Sequence, residues 1–540
     1  MLSLGFHEAC PLAETGCPAP SGGNLECEVF IMASAGVDDR SALRRHVYLI
    51  LAAASVGLML GRILAVDSVD VLALQRSRLE SIPKAQAEKR KEFQARGLSA
   101  EEIEARLAER LEKLQRAAQL RRPFLSANDR SRWCTVRALV EDEMRIPGAP
   151  YAIDKVIQEQ GWDTIDMVKH DGHLYSSKPP LMATLVAGPY WVIHRLTGQT
   201  LGTQPYAIGR CLLIAVNVVP MVLYFWVLGK LLERIGQTDW GRLFAMTGAA
   251  LGTFLSTFAV VLNNHLWAAV CTAVALYAAS RVWLDGRRQW RYFVAAGFFG
   301  ALMAAEELPA LALFAPLALG LLWKAPRQTV LGFVPAALVV GAAFFATNWI
   351  AHRSLRPPYM HRSQTDPSDN WYVYTYQRGG RELTSYWQNP KGLDAGEPSR
   401  ATYALHVLVG HHGIFALTPL WLLSAVGLGI WVVRPPEKSL RHLALAIAAV
   451  SVVVLAFYIL RPQIDRNYGG STSGLRWAFW MAPLWVAALV PAADRMSTRG
   501  WARWLAAVTL ALSALSAAYP TWNPWTHPWI YDFLVYLGVL

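Results

Sequence analysis

Two short stretches carry the residue types that chemistry needs. In residues 128–133 (NDRSRW), Asp129 stands among Arg130, Arg132 and, further on, Arg137. A carboxylate held by cations at the edge of a membrane is placed to take a proton from a hydroxyl or amine as a general base; on an ordinary surface the same pattern is a salt bridge. In residues 173–181 (HLYSSKPPL), Pro179 and Pro180 fix φ and donate no hydrogen bond, which suits the first turn of a helix. The apolar run 181–196 supplies that helix, and Ser176 and Ser177 stand where caps are preferred. A helix N-terminus offers N–H groups and partial positive charge to a phosphate, and Lys178 adds a full charge ahead of it. The plainer reading is a proline-started interfacial helix with a snorkelling lysine.

Together the two motifs resemble the first extracytoplasmic loop of the GT-C glycosyltransferases, in particular glycosyltransferase family 39, which is dolichyl-phosphate-mannose-protein mannosyltransferase-like, and the lipid A aminoarabinose transferases. Those proteins carry a D-E-x-R-Y type motif after the first span and a Y-x-x-K-P-P-L motif later. Asp129 matches the first acid, Arg132 the arginine and Trp133 the aromatic; Tyr175, Lys178, Pro179, Pro180 and Leu181 match the second motif. Arg130 stands where the family has Glu. The resemblance covers residues 126–235 and is topological beyond them. It implies a sugar donor on a polyprenyl phosphate, a lipid, glycan or protein acceptor, and inversion by direct displacement. Asp129 would be the catalytic base. Lys178 and Arg132 would hold the donor phosphate, with Arg466 and Arg476 from a later loop, and Tyr175 and Trp133 would line the substrate cavity.

The elements that must position these residues are apolar. Of 540 residues, 54% are hydrophobic and only 17% charged, and the mean hydropathy is +0.25. Runs of about 20 apolar residues read as transmembrane helices. The expected fold class is an all-α polytopic membrane protein, a GT-C-like bundle of about eleven such helices with a long first extracytoplasmic loop. The first span is placed at 46–66. The others are placed at 206–230, 242–262, 265–284, 291–304, 308–323, 328–350, 413–433, 441–460, 476–493 and 501–519. The net charge of +12 sits largely in alternate short loops: Lys230, Arg234 and Arg242; Arg287, Arg288 and Arg291; Lys324 and Arg327; Arg434, Lys438 and Arg441; Arg495, Arg499 and Arg503. With Arg44 and Arg45 these mark the cytoplasmic side and give no reason to expect a nucleic acid partner. The 22 Trp suit an interfacial belt.

The organisation that follows has a cytoplasmic tail (1–45), the first span, and an outer loop (67–205) holding a charged insert at 76–122 and the motifs at 126–181. Spans over 206–350, an outer loop (351–412), spans over 413–519 and an outer C-terminal tail (520–540) complete it. Residues 1–40 are rich in Gly, Pro and small residues with no helical period. No signal peptide is read, because the first apolar stretch begins near Val47. Met32 is taken as the start of translation. In the insert, Gly97 breaks the chain, Ser99 and Glu102 make an S-x-x-E capping box, and Ile103, Leu107, Leu111 and Leu114 form one stripe. A helical hairpin is predicted. Its placement in the cell is an inner (plasma) membrane with the active site facing out, among membrane lipids.

Further candidates lie on the same face. Asn263, Asn264 and His265 interrupt an apolar run, as a polar turn or as groups that bond a sugar or phosphate. Glu306 and Glu307 sit between apolar segments; an acid at membrane depth tends to face a cavity. The 461–477 loop offers Arg466, Gly469, Gly470 and Arg476, and a Gly-rich turn with arginines can cradle a phosphate through backbone N–H groups. His411 and His412 point in different directions on a helix and make a poor metal pair. The six cysteines imply no disulfide and no zinc site. No metal ligands and no cofactor are assigned, and a divalent ion is left open. The rival class is a lipid or sugar transporter or flippase, which explains the spans equally well but not the two motifs. It would also bring two related halves, which the sequence lacks.

Overall fold

The computed structural model describes residues 24–65, 71–119 and 123–540. Residues up to Val47 form one unit and the chain from Tyr48 onward another. Helix α1 runs from Asn24 to Ala65, so it starts well before the expected residue 46. The helix formers of RSALRR, at 40–45, continue the period back from the apolar stretch. The tail expected to be irregular over residues 1–40 is helical from Asn24 onward, and its residues 1–23 lie outside the described residues.

Among the described residues, seven helical stretches are long and apolar enough to cross a membrane: Asp39–Ala65, Pro205–Ile235, Asn264–Trp283, Pro326–His352, Lys438–Ile459, Arg476–Met496 and Gly500–Ala518. The chain is built as an integral membrane protein, mostly helical with little sheet. Seven is fewer than the eleven spans expected, and the differences have local causes. The expected 242–262 span ends as a helix at Leu251, and the chain passes through a single 3₁₀ turn at Thr257–Val260. Gly252, at the break, leaves room for Leu420, whose methyl would lie 2.6 Å from a Cβ there. The expected 413–433 span splits into Ile414–Leu417 and Leu420–Val433 around Pro419, which cannot continue the hydrogen-bond ladder. Leu308–Lys324 is likewise a shorter apolar helix, and Trp290–Glu306 has 17 residues.

Helix α2 (Val71–Ala95) and helix α3 (Ala100–Ala118) form the predicted hairpin. The capping box closes it: Glu102 Oε2 accepts from Ser99 N at 3.1 Å, and Ser99 Oγ accepts from Glu102 N at 3.3 Å. Ile103 and Leu107 are buried against Phe93 and Leu98, whereas Leu111 is exposed, so the stripe packs only over its first half.

The motifs lie on helix α4 (Ala127–Val140), strands β1 (Met167–His170) and β2 (His173–Ser176), and helix α5 (Pro180–Thr197). β1 and β2 pair antiparallel with Val168 opposite Tyr175. Asp171 and Gly172, both at positive φ, make the two-residue turn that this twist requires. The second outer loop docks on this hairpin. Lys169 N donates to Trp371 O at 3.0 Å, Tyr374 Oη to Met167 O at 3.1 Å, and Trp387 Nε1 to Ile165 O at 2.9 Å. The Trp371 ring lies stacked between His170 (4.0 Å) and His361 (3.6 Å).

Helix Leu420–Val433 meets helix Ala482–Met496 at close range, because a Cβ on Gly427 would overlap the Ala488 carbonyl. Gly429, two residues along the same helix, has nothing within 4 Å of a Cβ placed there. Gly427→Val should therefore cost about 1–3 kcal/mol of stability, or abolish folding, while Gly429→Val should leave the unfolding midpoint in detergent nearly unchanged. Equal midpoints for the two variants would refute this close approach.

Candidate functional site

Ser126 caps α4, its Oγ accepting from Asp129 N at 3.1 Å, and every residue from Asp129 to Ala138 is buried. The four polar residues that the sequence places together point to different partners. Arg130 donates to the carbonyls of Pro123, Phe124 and Asp163. Arg137 is clamped by Glu141 and Glu159. Asp129 accepts from Trp133 Nε1 at 2.9 Å and Leu262 N at 2.9 Å on one oxygen, and from Leu125 N at 3.3 Å on the other. It ties α4 to the segment before it and to the turn before Asn263. Burial raises its pKa to about 6 against the hydrogen bonds and the charges of Arg132 and Arg130. The fold thus binds this proton more tightly than the unfolded chain does, and stability falls as pH rises from 3.8 to about 6.

Asp166, just before β1, is the acid that meets Lys178. Its oxygens accept from Lys178 Nζ at 2.9 and 2.8 Å, from Asn128 Nδ2 at 2.8 Å and from Ser177 Oγ. Burial acts to raise its pKa, but Lys178, Ser177 and Arg132 outweigh that and hold it below the ordinary carboxylate range. Burial lowers Lys178 to about 8, with Asp166 opposing. Ser177 is therefore bound to Asp166, and Ser176 Oγ is bonded to Ser131 Oγ at 2.6 Å. Neither serine caps α5 as expected: Pro179 is the cap residue and Pro180 the first helical one.

A second chain of contacts joins α4 to the membrane helices. Arg132 donates to Asn128 O and Oδ1, and at 2.6 Å to Asn264 Oδ1. Asn264 Nδ2 donates to Glu306 O and Glu307 Oε1, both at 2.8 Å. Glu307 also meets His265 Nδ1, and His265 Nε2 lies 2.7 Å from Arg476 Nη1. A guanidinium only donates, so Nε2 accepts and the His265 proton sits on Nδ1, facing Glu307. Arg476 is fixed further by Gly469 O (3.1 Å) and by the Trp525 ring (4.9 Å). The charges of both Arg132 and Arg476 act on Lys178. Glu306 is buried with no partner for its Oε1.

The structure thus brings Arg132, Lys178, Arg476, Asn264, His265, Glu306 and Glu307 into one buried polar cluster. Tyr175 joins it through a small pocket that Arg132, Tyr151, Ser176, Lys178, Pro180 and His352 also line. Three residues stand apart. Asp129 borders a different, largely apolar pocket, with Ile63, Leu213 and Val260, that shares no residue with the first. Trp133 is fully buried and stacks on Phe124 at 4.5 Å, lining neither. Arg466 donates to Pro398 O at 2.7 Å and lies by Tyr403. The glycine turn does not offer its amides either, since Gly469 N and Gly470 N donate to Asn467. Asn263 is a helix cap, accepting from Leu266 N at 3.1 Å. Sequence reasoning missed Asp166, Asn128 and His352. Asp166 sits in the segment WDTIDMV shortly before the second motif, and nothing in that stretch singles it out from Asp163.

No family model and no curated protein matches the sequence. Among solved structures, the apo oligosaccharyltransferase of Archaeoglobus fulgidus aligns over 74% of this chain and 51% of its own, at 14% identity and a TM-score of 0.33. The chain spans about half the length of that protein, and a TM-score of this size bears no functional conclusion.

Asp129→Asn turns one carboxylate oxygen into an NH₂ group that must face an N–H donor. An unmet buried donor costs about 1–3 kcal/mol, so the variant should unfold at a lower temperature while binding ligands normally in its folded fraction. An unchanged midpoint would remove Asp129 from the framework.

Proposed function

We propose that the chain is a membrane glycosyltransferase that moves a sugar from a polyprenyl-phosphate donor to a lipid, glycan or protein acceptor on the extracytoplasmic face. The observation that supports this most is the convergence of Arg132, Lys178 and Arg476, from three distant stretches, at the ends of apolar helices. Cations gathered where lipid meets the outer loops suit an anionic headgroup whose tail stays in the bilayer. The resemblance of the two motifs to family 39 points the same way.

In this reading Lys178 and Arg132 hold the donor phosphate, and Arg476, fixed by His265 and Glu307, adds charge. As the sugar–phosphate bond breaks, negative charge grows on the leaving phosphate, and fixed cations stabilise it in the transition state more than in the ground state. Asp166 aligns Lys178. The base must keep a free lone pair within a buried site. Asp129 is occupied by structural donors, so Glu306, whose Oε1 has no partner, takes that role.

Purified protein in lipid discs, given labelled polyprenyl-phosphate sugars and membrane extract as acceptor, should transfer label; lipid movement without transfer supports the flippase instead. Lys178→Ala should weaken donor binding and slow transfer. Because Lys178 loses its proton near pH 8, donor affinity should fall as pH rises through that value, and Lys178→Arg should abolish the fall. Glu306→Gln should lower kcat about 10²–10⁴-fold with donor affinity kept; normal turnover would make Glu306 a structural acid.

The orientation rests on the basic loops. Cysteines placed at 80–120 and 370–400 should react with an impermeant reagent from outside, and those at 285–290 and 435–439 should not. Labelling of both sets from one side contradicts an outer site.

A further inference from the structure

His352 ends the helix Val334–His352 and is 3% exposed. Neither of its ring nitrogens has a hydrogen-bond partner. Buried polar groups are nearly always satisfied, and an exception calls for an explanation. Here the ring is positioned by aromatic contacts alone: edge-on to Tyr175 at 4.8 Å and tilted against Trp371 at 5.8 Å. It lines the same pocket as Arg132, Tyr151, Tyr175, Ser176 and Lys178. Packing thus holds the ring still, and its hydrogen-bonding capacity is left over for whatever enters.

A neutral imidazole presents one N–H donor and one acceptor nitrogen. A phosphate can use only the donor, and its oxygens are served by the two cations beside it. A hydroxyl, which both donates and accepts, matches either ring nitrogen. The ring lines the same pocket as Lys178 and Arg132, so a hydroxyl bonded to it would lie beside the phosphate that those cations hold.

We propose that His352 is a specificity-determining residue that binds a hydroxyl of the donor sugar. This rests on the donor assignment made above. The phosphate is held by Lys178 and Arg132 and identifies the lipid; His352 distinguishes a sugar-bearing lipid from a bare one. A site whose buried polar group is left unpaired rejects the ligand that lacks the matching group.

The test uses the full chain in lipid discs and four probes: polyprenyl phosphate without sugar, and polyprenyl phosphate carrying a hexose, an N-acetylhexosamine or an aminopentose. Wild type should bind at least one sugar-bearing lipid more tightly than the bare one. His352→Phe should erase that preference by about tenfold, the scale of one buried hydrogen-bonded pair, and leave bare-lipid affinity within about twofold. His352→Gln, which keeps a donor and an acceptor, should restore part of it. If His352→Phe does not fold, His352→Leu, which also removes both ring nitrogens, provides the same comparison. Equal loss for bare and sugar-bearing lipids, no change for any lipid, or no sugar preference in wild type would each overturn the assignment. Wild type that binds none of the four lipids overturns the donor reading itself.

Discussion

An ion removed from water beside a bilayer is tolerated only when partners replace its hydration. The polar cluster of this protein is organised by that constraint. Three cations, Arg132, Lys178 and Arg476, share it with three carboxylates, Asp166, Glu306 and Glu307. Lys178 is neutralised within its own loop by Asp166, whereas Arg132 and Arg476 are reached through neutral intermediaries, Asn264 and His265. The two modes differ in kind. A direct pair can open when a competing anion arrives, because the competitor replaces like with like. A charge held through an amide or an imidazole keeps its place, since its intermediary is fixed at the start of helix Asn264–Trp283.

The fold delivers these charges by joining loops to helices. α4 is buried on all sides, so side chains from successive positions reach separate elements. Asp129 bonds to the turn before Asn263, Arg132 to Asn264 beyond it, and Ser131 to the Asp166 carbonyl. Asp129 is thus a spacer: by fixing the backbone at Leu262 it fixes where Asn264 and His265 begin. The diproline at 179–180 does comparable work on the other side, since it allows no alternative backbone for the residue that precedes α5.

Much of this was legible in the sequence, and the failures have physical reasons. NDRSRW and HLYSSKPPL fall on the helix, hairpin and proline-started helix that form the pocket wall, and the capping box of the insert forms as read. Asp129 lies apart from the cluster because neighbours in sequence on a helix need not be neighbours in space. On a helix, Arg130, one residue from Asp129, leaves in another direction, and Arg132, three residues on, is drawn to Asn128 and Asn264, while Trp133, at i+4, lies directly above Asp129 and bonds to it. That pairing was readable and points to structure. Asp166 and His352 were not readable: one is an acid in an unremarkable loop, the other the last residue of a lipid-facing helix, and each acquires meaning only from what folds against it. Fewer of the expected spans form as single long helices because hydropathy alone does not register that Pro419 and the Gly252 break divide apolar runs.

The hairpin of α2 and α3 has a practical consequence. Its own small core of Phe93, Leu98, Ile103 and Leu107 is separate from the main one, and its tip turns at Gly97, where φ is +73° with open space around it. It is in effect a built-in mast. A rigid soluble protein spliced between Arg96 and Gly97 would add mass and an asymmetric landmark for single-particle imaging, without touching a residue of the polar cluster.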